Sequence, residues 1–110
     1  ALLSGVSLSS VRLTDCEFDK CSFGIYLEEV QSYGRFSQLY DDTPIEMKNI
    51  HMTQIREAGI AIKSLLANLK INHGSIDSLK RTPILTEDLR AVEHYIRLSE
   101  DFSLGQGEIV

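Results

Sequence analysis

The chain has 110 residues, a hydrophobic fraction of 43%, a charged fraction of 25% and a formal net charge of −5. These values are typical of one small globular domain and exclude a disordered or collagen-like chain. No apolar run approaches the roughly 18 residues of a membrane-spanning helix, and no basic stripe supports direct binding to a nucleic-acid backbone. We therefore expect a soluble cytoplasmic protein without a membrane or nucleic-acid partner.

The first 25 residues repeat an apolar pattern every five positions. The centre of each five is large and apolar, namely Leu3, Leu8, Leu13, Phe18 and Phe23. The residue two positions earlier is small and apolar, namely Ala1, Val6, Val11, Cys16 and Cys21. This spacing fits neither the period of an α-helix nor the alternation of one long strand. A pair of short alternating strands over residues 6–8 and 11–13 is the alternative interpretation.

This pattern resembles the pentapeptide-repeat family, in which a small residue, a polar residue, Leu or Phe, and two polar residues recur. The resemblance implies a coil of a right-handed parallel β-helix over residues 1–25, with the Leu or Phe and the small residue pointing inward. Leu2 and Ile25 depart from it, because the family prefers polar residues there. The repeat fails after Ile25, so we expect the coil to end there.

Cys16 and Cys21 are the two cysteines of the chain. A tetrahedral zinc site needs more ligands than these two can supply. The resemblance places both at inward positions, where free thiols behave as small buried hydrophobic groups. We therefore expect neither a metal nor any other cofactor.

Residues 26–42 are interpreted as a cap or linker that covers the open end of the coil, with a short helix over residues 27–40. Val30, Tyr33, Phe36 and Tyr40 follow a near-helical spacing, although Gly34 weakens the helix. Tyr33, Phe36 and Tyr40 are interpreted as packing in the cap, and contacts with a partner are the alternative that makes them candidate site residues.

Residues 43–103 are predicted to form a helical hairpin, followed by a flexible tail over residues 104–110. Thr43 and Pro44 are typical of a helix start. Apolar residues at three-four spacing then predict one long amphipathic helix over residues 45–71. The apolar face of that helix comprises Ile45, Met52, Ile55, Ile62, Leu66 and Leu69. A second helix is predicted from Thr86 to near Phe102. The predicted fold class is therefore α+β.

Catalytic patterns are absent from the sequence. His51, His73 and His94 stand in no metal-binding or catalytic spacing and are interpreted as solvated or half-buried side chains. No glycine-rich phosphate loop is present. The sequence therefore predicts neither catalytic nor cofactor-binding residues, and we expect no enzyme unless the chain is part of a larger one.

The prediction for function is a non-catalytic module for protein–protein interaction or assembly, either by itself or as a fragment of a longer pentapeptide-repeat protein. Its partner would be another protein or a second copy. The predicted contact residues are Ile45, Met52, Ile55, Ile62, Leu66, Tyr33, Phe36 and Tyr40. The resemblance also implies two alternatives. One is a DNA-mimicking inhibitor or protector of a type II topoisomerase, and the other is an accessory part of a HECT-like bacterial effector ubiquitin ligase, delivered to a host cytosol.

Overall fold

The fold is taken from a computed structural model. It describes residues 2–4, 7–8, 11–28, 30–32, 45–63, 65–66, 68–87, 89 and 95–110.

The described residues form three parallel sheets built from thirteen strands. The strands are β1 (Leu2–Ser4), β2 (Ser7–Leu8), β3 (Val11–Thr14), β4 (Glu17–Asp19), β5 (Phe23–Glu28), β6 (Val30–Ser32), β7 (Ile45–Ile55), β8 (Ala58–Ile62), β9 (Leu65–Leu66), β10 (Leu69–Ser78), β11 (Ile84–Thr86), β12 (Ile96–Leu98) and β13 (Phe102–Ser103). The first sheet has the order β1-β5-β8-β11, and the second has the order β2-β6-β9. In the third sheet, β3 and β4 pair with β7, β7 pairs with β10, and β10 pairs with β12 and β13.

The chain visits the three sheets in turn and then returns to the first, so it winds as a parallel β-helix. One coil takes 24 residues where Leu2 lies beside Tyr26 and where Ile45 lies beside Leu69. Between the first and second coils of the third sheet the offset is larger, because Val11 lies beside Ile45. The ten additional residues lie between the end of β6 and the start of β7.

The third sheet contains corners at which the backbone is left-handed. Asp15, Asn49 and His73 have φ values of 56°, 57° and 59°. Asp15 is hydrogen-bonded to Lys48, next to Asn49, and the register from β7 to β10 places Asn49 beside His73. Each corner interrupts the alternation of inward and outward side chains, so that inward residues recur at spacings of two and then three.

The core consists of inward side chains from successive coils. Ile45, Met47, Ile50, Met52 and Ile55 of β7 are each at most 1% exposed. Aliphatic side chains from the neighbouring strands complete the core, namely Ile25, Leu27, Ile60, Ile62, Leu69, Ile71, Ile76 and Ile84. Burial of one such side chain contributes about 1.5–3 kcal/mol, so stacking of the coils supplies most of the stability.

Gly74 allows two coils to approach closely. Its φ is +137°, and a Cβ built on it would collide with the carbonyl oxygen of Ile50 in the adjacent strand. A residue with a side chain would therefore be strained both by its backbone angle and by its contact with β7. The long helix predicted over residues 45–71 would end just before Gly74, but the segment Asn72–Ser75 is part of strand β10.

The predicted helical hairpin is wrong. The range assigned to the long helix contains β7, β8, β9 and the start of β10, and the range assigned to the second helix contains β12 and β13. Leu89 alone is helical among the residues that the structure describes. The fold is therefore not α+β but strand-rich, because coils of a β-helix bury the side chains that were assigned to one face of a helix.

The interpretation of residues 26–42 as a helical cap also fails where it can be compared. Leu27 and Glu28 end β5, and β6 follows at Val30–Ser32. Thr43 and Pro44, the predicted helix start, lie outside the described residues. The tail is hydrogen-bonded to β11, because Val110 accepts from the Thr86 N–H at 2.7 Å and donates to the Ile84 oxygen at 2.9 Å.

The first coil differs in length from the coil that the family resemblance implies. The resemblance implies that four five-residue repeats form one coil, so that a residue would lie beside the one 20 positions later. In the structure, Leu2 lies beside Tyr26 and Ser7 beside Gln31, both 24 positions later. Within the described part of residues 1–25, each strand pairs with a strand of the second coil or a later segment. Family membership remains an expectation from sequence.

Candidate functional site

The N-terminal edge of the β-helix is formed by β1, β2, β3 and β4. In the described ranges these strands pair on one side only, with β5, β6 and β7. Parallel strands with a free edge present backbone N–H and C=O groups that can pair with another chain. The edge therefore has the geometry needed to accept a further strand.

The apolar cross-section of the coil is also incompletely covered at this edge. Leu13, Cys16, Phe18 and Cys21 pack against the core but are only half-buried. The polar residues between them, such as Glu17 and Asp19, are exposed. Another coil placed against the edge would complete the burial of these inward side chains.

The C-terminal end is more completely covered. Ile96 and Phe102, the inward residues of β12 and β13, are each 8% exposed. In the first sheet, β11 is already flanked by the tail, because Ile84 forms a parallel bridge with Ile109. The two ends of the molecule are thus unequal, and the N-terminal edge is the better candidate for assembly.

Polar side chains form a network on the outer face of the third sheet. The Asn49 amide Nδ2 donates to Asp15 Oδ1 at 2.7 Å, and the Asn49 Oδ1 lies 3.0 Å from His51 Nε2. The other imidazole nitrogen of His51, Nδ1, lies 3.3 Å from the Ser75 hydroxyl. These four residues come from three successive coils, and the strand register places Ser75 directly beside His51.

A second polar cluster joins β10 to the turn between β12 and β13. The Ser99 hydroxyl donates to Asp101 Oδ1 at 2.7 Å and accepts from the His73 backbone N–H at 3.0 Å. His73 Nδ1 contacts the other carboxylate oxygen of Asp101. The hydrogen bond from Ser99 and the contact with His73 lower the pKa of Asp101. The cluster fastens the last coil to the preceding one.

The outer face of the first sheet carries a shallow groove of about 230 Å³. The Phe23 and Tyr26 rings meet edge-to-face with centroids 5.8 Å apart, and Leu85 lies on the same groove. Lys63 also lines it and forms an ion pair with Glu28 at 3.2 Å, which raises the pKa of Lys63. The groove thus has apolar side chains in its wall, and the positive charge of Lys63 is paired with Glu28.

Four of the eight predicted contact residues are buried in the core of the chain. Ile45, Met52 and Ile55 are fully buried, and Ile62 is 2% exposed. Leu66 belongs to β9. Tyr33, Phe36 and Tyr40 lie outside the described residues. The apolar character of the buried four is explained by the core of this chain.

The residues that form the N-terminal edge and the polar network were not predicted as sites. The histidines were interpreted as solvated or half-buried, and His51 and His73 are exposed, but each also contacts a side chain on another coil, Ser75 and Asp101 respectively. His94 lies outside the described residues. The sequence carries no local signal for the network, because Asp15 and Asn49 become neighbours only when two coils stack.

Comparison with known proteins gives no relative, because no family model, curated protein or solved structure matches the chain. Within the described ranges, no three His, Cys, Asp or Glu side chains are grouped as a metal site. In the same part of the chain, no helix has the length and apolarity required to cross a bilayer.

Proposed function

We propose that the chain is a non-catalytic assembly module in which the edge formed by β1, β2, β3 and β4 accepts a further strand, and that a second copy of this chain supplies that strand in solution. The observation that carries this proposal is the one-sided pairing of β1, β2, β3 and β4 above a half-buried apolar cross-section. Addition of a strand to such an edge is a common mode of protein recognition, in which backbone hydrogen bonds supply affinity.

The two ends of the molecule favour a closed dimer over a filament. Head-to-tail stacking would bring the C-terminal edge of one copy to the N-terminal edge of the next, but Ile109 and Val110 already flank β11. Pairing of two N-terminal edges joins surfaces that are open in all three sheets. Such an interface is isologous and closes as a dimer.

Charge on the edge strands is compatible with this arrangement. Antiparallel pairing centred between Thr14 and Asp15 places Arg12 opposite Glu17 of the second copy and diagonal to its Asp19, with the inward residues of the two strands also opposite each other. All three side chains are exposed in the single chain. Opposite charges across an antiparallel pair contribute about 0.2–1 kcal/mol, which favours this register.

Proline at Thr14 tests the proposal because it removes one edge N–H. The Asp15 N–H donates to Lys48 in β7 at 3.0 Å. Since successive N–H groups of a strand point to opposite sides, the Thr14 N–H points away from β7 and its loss breaks no internal bond. We expect the wild-type mass in light scattering to double as concentration rises, and Thr14→Pro to remain a monomer.

Thr14→Ala is the matched control, since it removes the same side chain but retains the N–H, and it should dimerise as the wild type does. Circular dichroism checks that each variant is folded. A wild-type chain that stays monomeric across the concentration series, or a Thr14→Pro variant that dimerises equally well, would contradict the proposal.

Alkylation of Cys16 and Cys21 gives an independent measurement of the same edge. Both thiols are half-buried in the single chain. Pairing of two edges would cover them, so their reaction with iodoacetamide should slow as the protein concentration rises. In the Thr14→Pro variant the rate should not depend on concentration, and protection there would argue that something other than edge pairing covers the thiols.

A further inference from the structure

The polar network on the third sheet fixes the protonation pattern of His51. A carboxylate only accepts hydrogen bonds, so the amide nitrogen of Asn49 must face Asp15 and its oxygen must face His51. The Asn49 oxygen is an acceptor, and His51 Nε2 must therefore carry a hydrogen. In the neutral imidazole Nδ1 is then unprotonated and accepts the hydrogen of the Ser75 hydroxyl.

Ser75, His51 and Asn49 thus form an arrangement in which a serine hydroxyl contacts a base and a third side chain orients that base. The nucleophile is within 3.3 Å of the base, the base is held by Asn49 at 3.0 Å, and Asn49 is held by Asp15 at 2.7 Å. Activation of a serine requires a neighbouring base that a third group orients. Nucleophile–base contacts of this kind are often long before a substrate is bound.

The backbone of the β-helix maintains this geometry. Ser75 and His51 are register partners in adjacent strands, and Asn49 lies two residues before His51 at an αL corner. Gly74 permits the close approach of β10 to β7 at this point. Asp15, Asn49 and His51 are exposed and Ser75 is half-buried, so a reagent can reach the hydroxyl from solvent.

We propose that Ser75 is a reactive nucleophile that accepts acyl groups from activated esters, with His51 as its base. The Ser75 Oγ forms a bond to the acyl carbon, and the bond between that carbon and the leaving group breaks. The proton of the hydroxyl moves to His51 Nδ1 and then to the leaving group. Asn49 and Asp15 are positioning residues that hold the reactive tautomer.

The class of donor follows from the surroundings of Ser75. The strand that carries Ser75 is paired with β7 on one side and with β13 on the other, so its backbone N–H groups are engaged in the sheet. Stabilisation of an oxyanion is therefore weak, and the donor must have a good leaving group. An open sheet face imposes little selection on the acyl chain.

A fluorophosphonate probe tests this proposal directly. Attack by Ser75 forms an oxygen–phosphorus bond and releases fluoride, and the adduct is located by mass spectrometry of peptides. We expect one adduct, at Ser75, and none in Ser75→Ala. His51→Gln should lower the labelling rate by about 100-fold, the usual contribution of a general base. Asn49→Ala should lower it less, because the base is retained but is no longer oriented.

Ser103 provides the matched control within the same sheet. It is exposed and is the register partner of Ser75 on the far side from His51, and Ser103→Ala should label at the wild-type rate. Thermal unfolding checks each variant. Absence of an adduct at Ser75, or a folded His51→Gln variant that reacts as fast as the wild type, would show that the network serves only to satisfy polar groups on the sheet surface.

Discussion

The first and second coils of the third sheet present similar side chains in two different environments. Leu13 in β3 lies beside Met47 in β7, and Phe18 in β4 lies beside Met52. Both residues of β7 are fully buried, whereas both edge residues are half-buried. The difference in burial arises from the presence of a further coil rather than from residue type. In a stacked fold, the energetic weight of a residue thus depends on its distance from an end.

The largest expected effect comes from truncating Met47 and its neighbour Leu13 in two separate variants. Met47→Ala removes a fully buried side chain and leaves a cavity, so it should lower the free energy of unfolding by about 2–5 kcal/mol. Leu13→Ala removes a half-buried side chain and should cost about 1–2 kcal/mol under dilute conditions. Urea denaturation with constant slope gives both values.

Protein concentration sharpens the comparison between these variants. If two edges pair, Leu13 becomes buried in the dimer, and the cost of Leu13→Ala should rise with concentration while that of Met47→Ala changes little. Equal costs for the two substitutions in the dilute monomer would show that the edge is as well packed as the centre.

A smaller effect is expected at the left-handed corners. Lys20 and Gln54 are exposed neighbours in adjacent coils, with φ values of 60° and 52°. Glycine removes about 1–2 kcal/mol of left-handed strain but loses about 0.5–1 kcal/mol of chain entropy. Lys20→Gly and Gln54→Gly should therefore each stabilise the fold by about 0.5–1 kcal/mol in thermal or urea unfolding.

These two glycine variants separate backbone geometry from burial. The corner conformation is the same at the edge and in the next coil, so equal gains are expected although the inward residues beside the two corners, Phe18 and Met52, differ in burial. As a control, Lys48→Gly in the extended part of β7 should destabilise the fold. If Lys20→Gly destabilised the protein while Gln54→Gly stabilised it, the edge corner would not share the geometry of the centre.

The smallest effect concerns the opposite end, which is fastened by polar contacts. Hydrogen bonding from Ser99 is the main cause of the lowered pKa of Asp101, and His73 adds to it. Because this pKa is lower in the folded state, Asp101 stabilises the fold above its unfolded pKa. That contribution is lost as the pH falls through the folded pKa.

Substitution of Ser99 tests this assignment. Ser99→Ala should raise the pKa of Asp101 in a carbon-detected NMR titration, and His73→Gln should raise it by a smaller amount. The side chains are exposed, so the global stability should change little. An unchanged pKa in Ser99→Ala would mean that the contact with His73, rather than the hydroxyl, determines the acidity of this carboxyl group.

The failure of the helix prediction has a specific cause in residue spacing. The inward residues Ile45, Met47, Ile50, Met52 and Ile55 recur at spacings of two and three. Steps of seven and three, as from Ile45 to Met52 and on to Ile55, also occur on one face of a helix. Met47 and Ile50 distinguish a β-helix from an α-helix here, because an α-helix would place these two apolar residues away from the face that carries Ile45 and Met52.

The first 25 residues were easier to interpret because polar side chains separate their apolar positions. In β7 and β8 the apolar residues are denser, and Ala58 to Ile62 are buried without alternation. The offset between neighbouring coils of the third sheet also hides the repeat, because it is 34 residues from Val11 to Ile45, 24 from Ile45 to Leu69 and 27 from Leu69 to Ile96. Length variation between coils thus removes the constant period that a sequence search requires.

The polar network could not be predicted because no local spacing encodes it. Asp15, Asn49 and Ser75 become neighbours only when three coils stack in one register. The open edge is likewise a property of strand order, which the sequence does not show until the strands are assigned. What could be inferred from sequence was the absence of local catalytic patterns, and this says little about sites assembled across coils.

The 24-residue coil also determines how this chain must fold. Among the described strand pairs, even the nearest partners in sequence, Ile55 and Ser78, are 23 positions apart. The first sheet contact therefore closes a loop of that length before any edge exists, at an entropic cost that no hairpin offsets. Each later coil then adds to an edge already formed. Folding should be slow for a chain of this size, in the range of milliseconds to seconds, with nucleation as the limiting step and rapid growth along the axis afterwards.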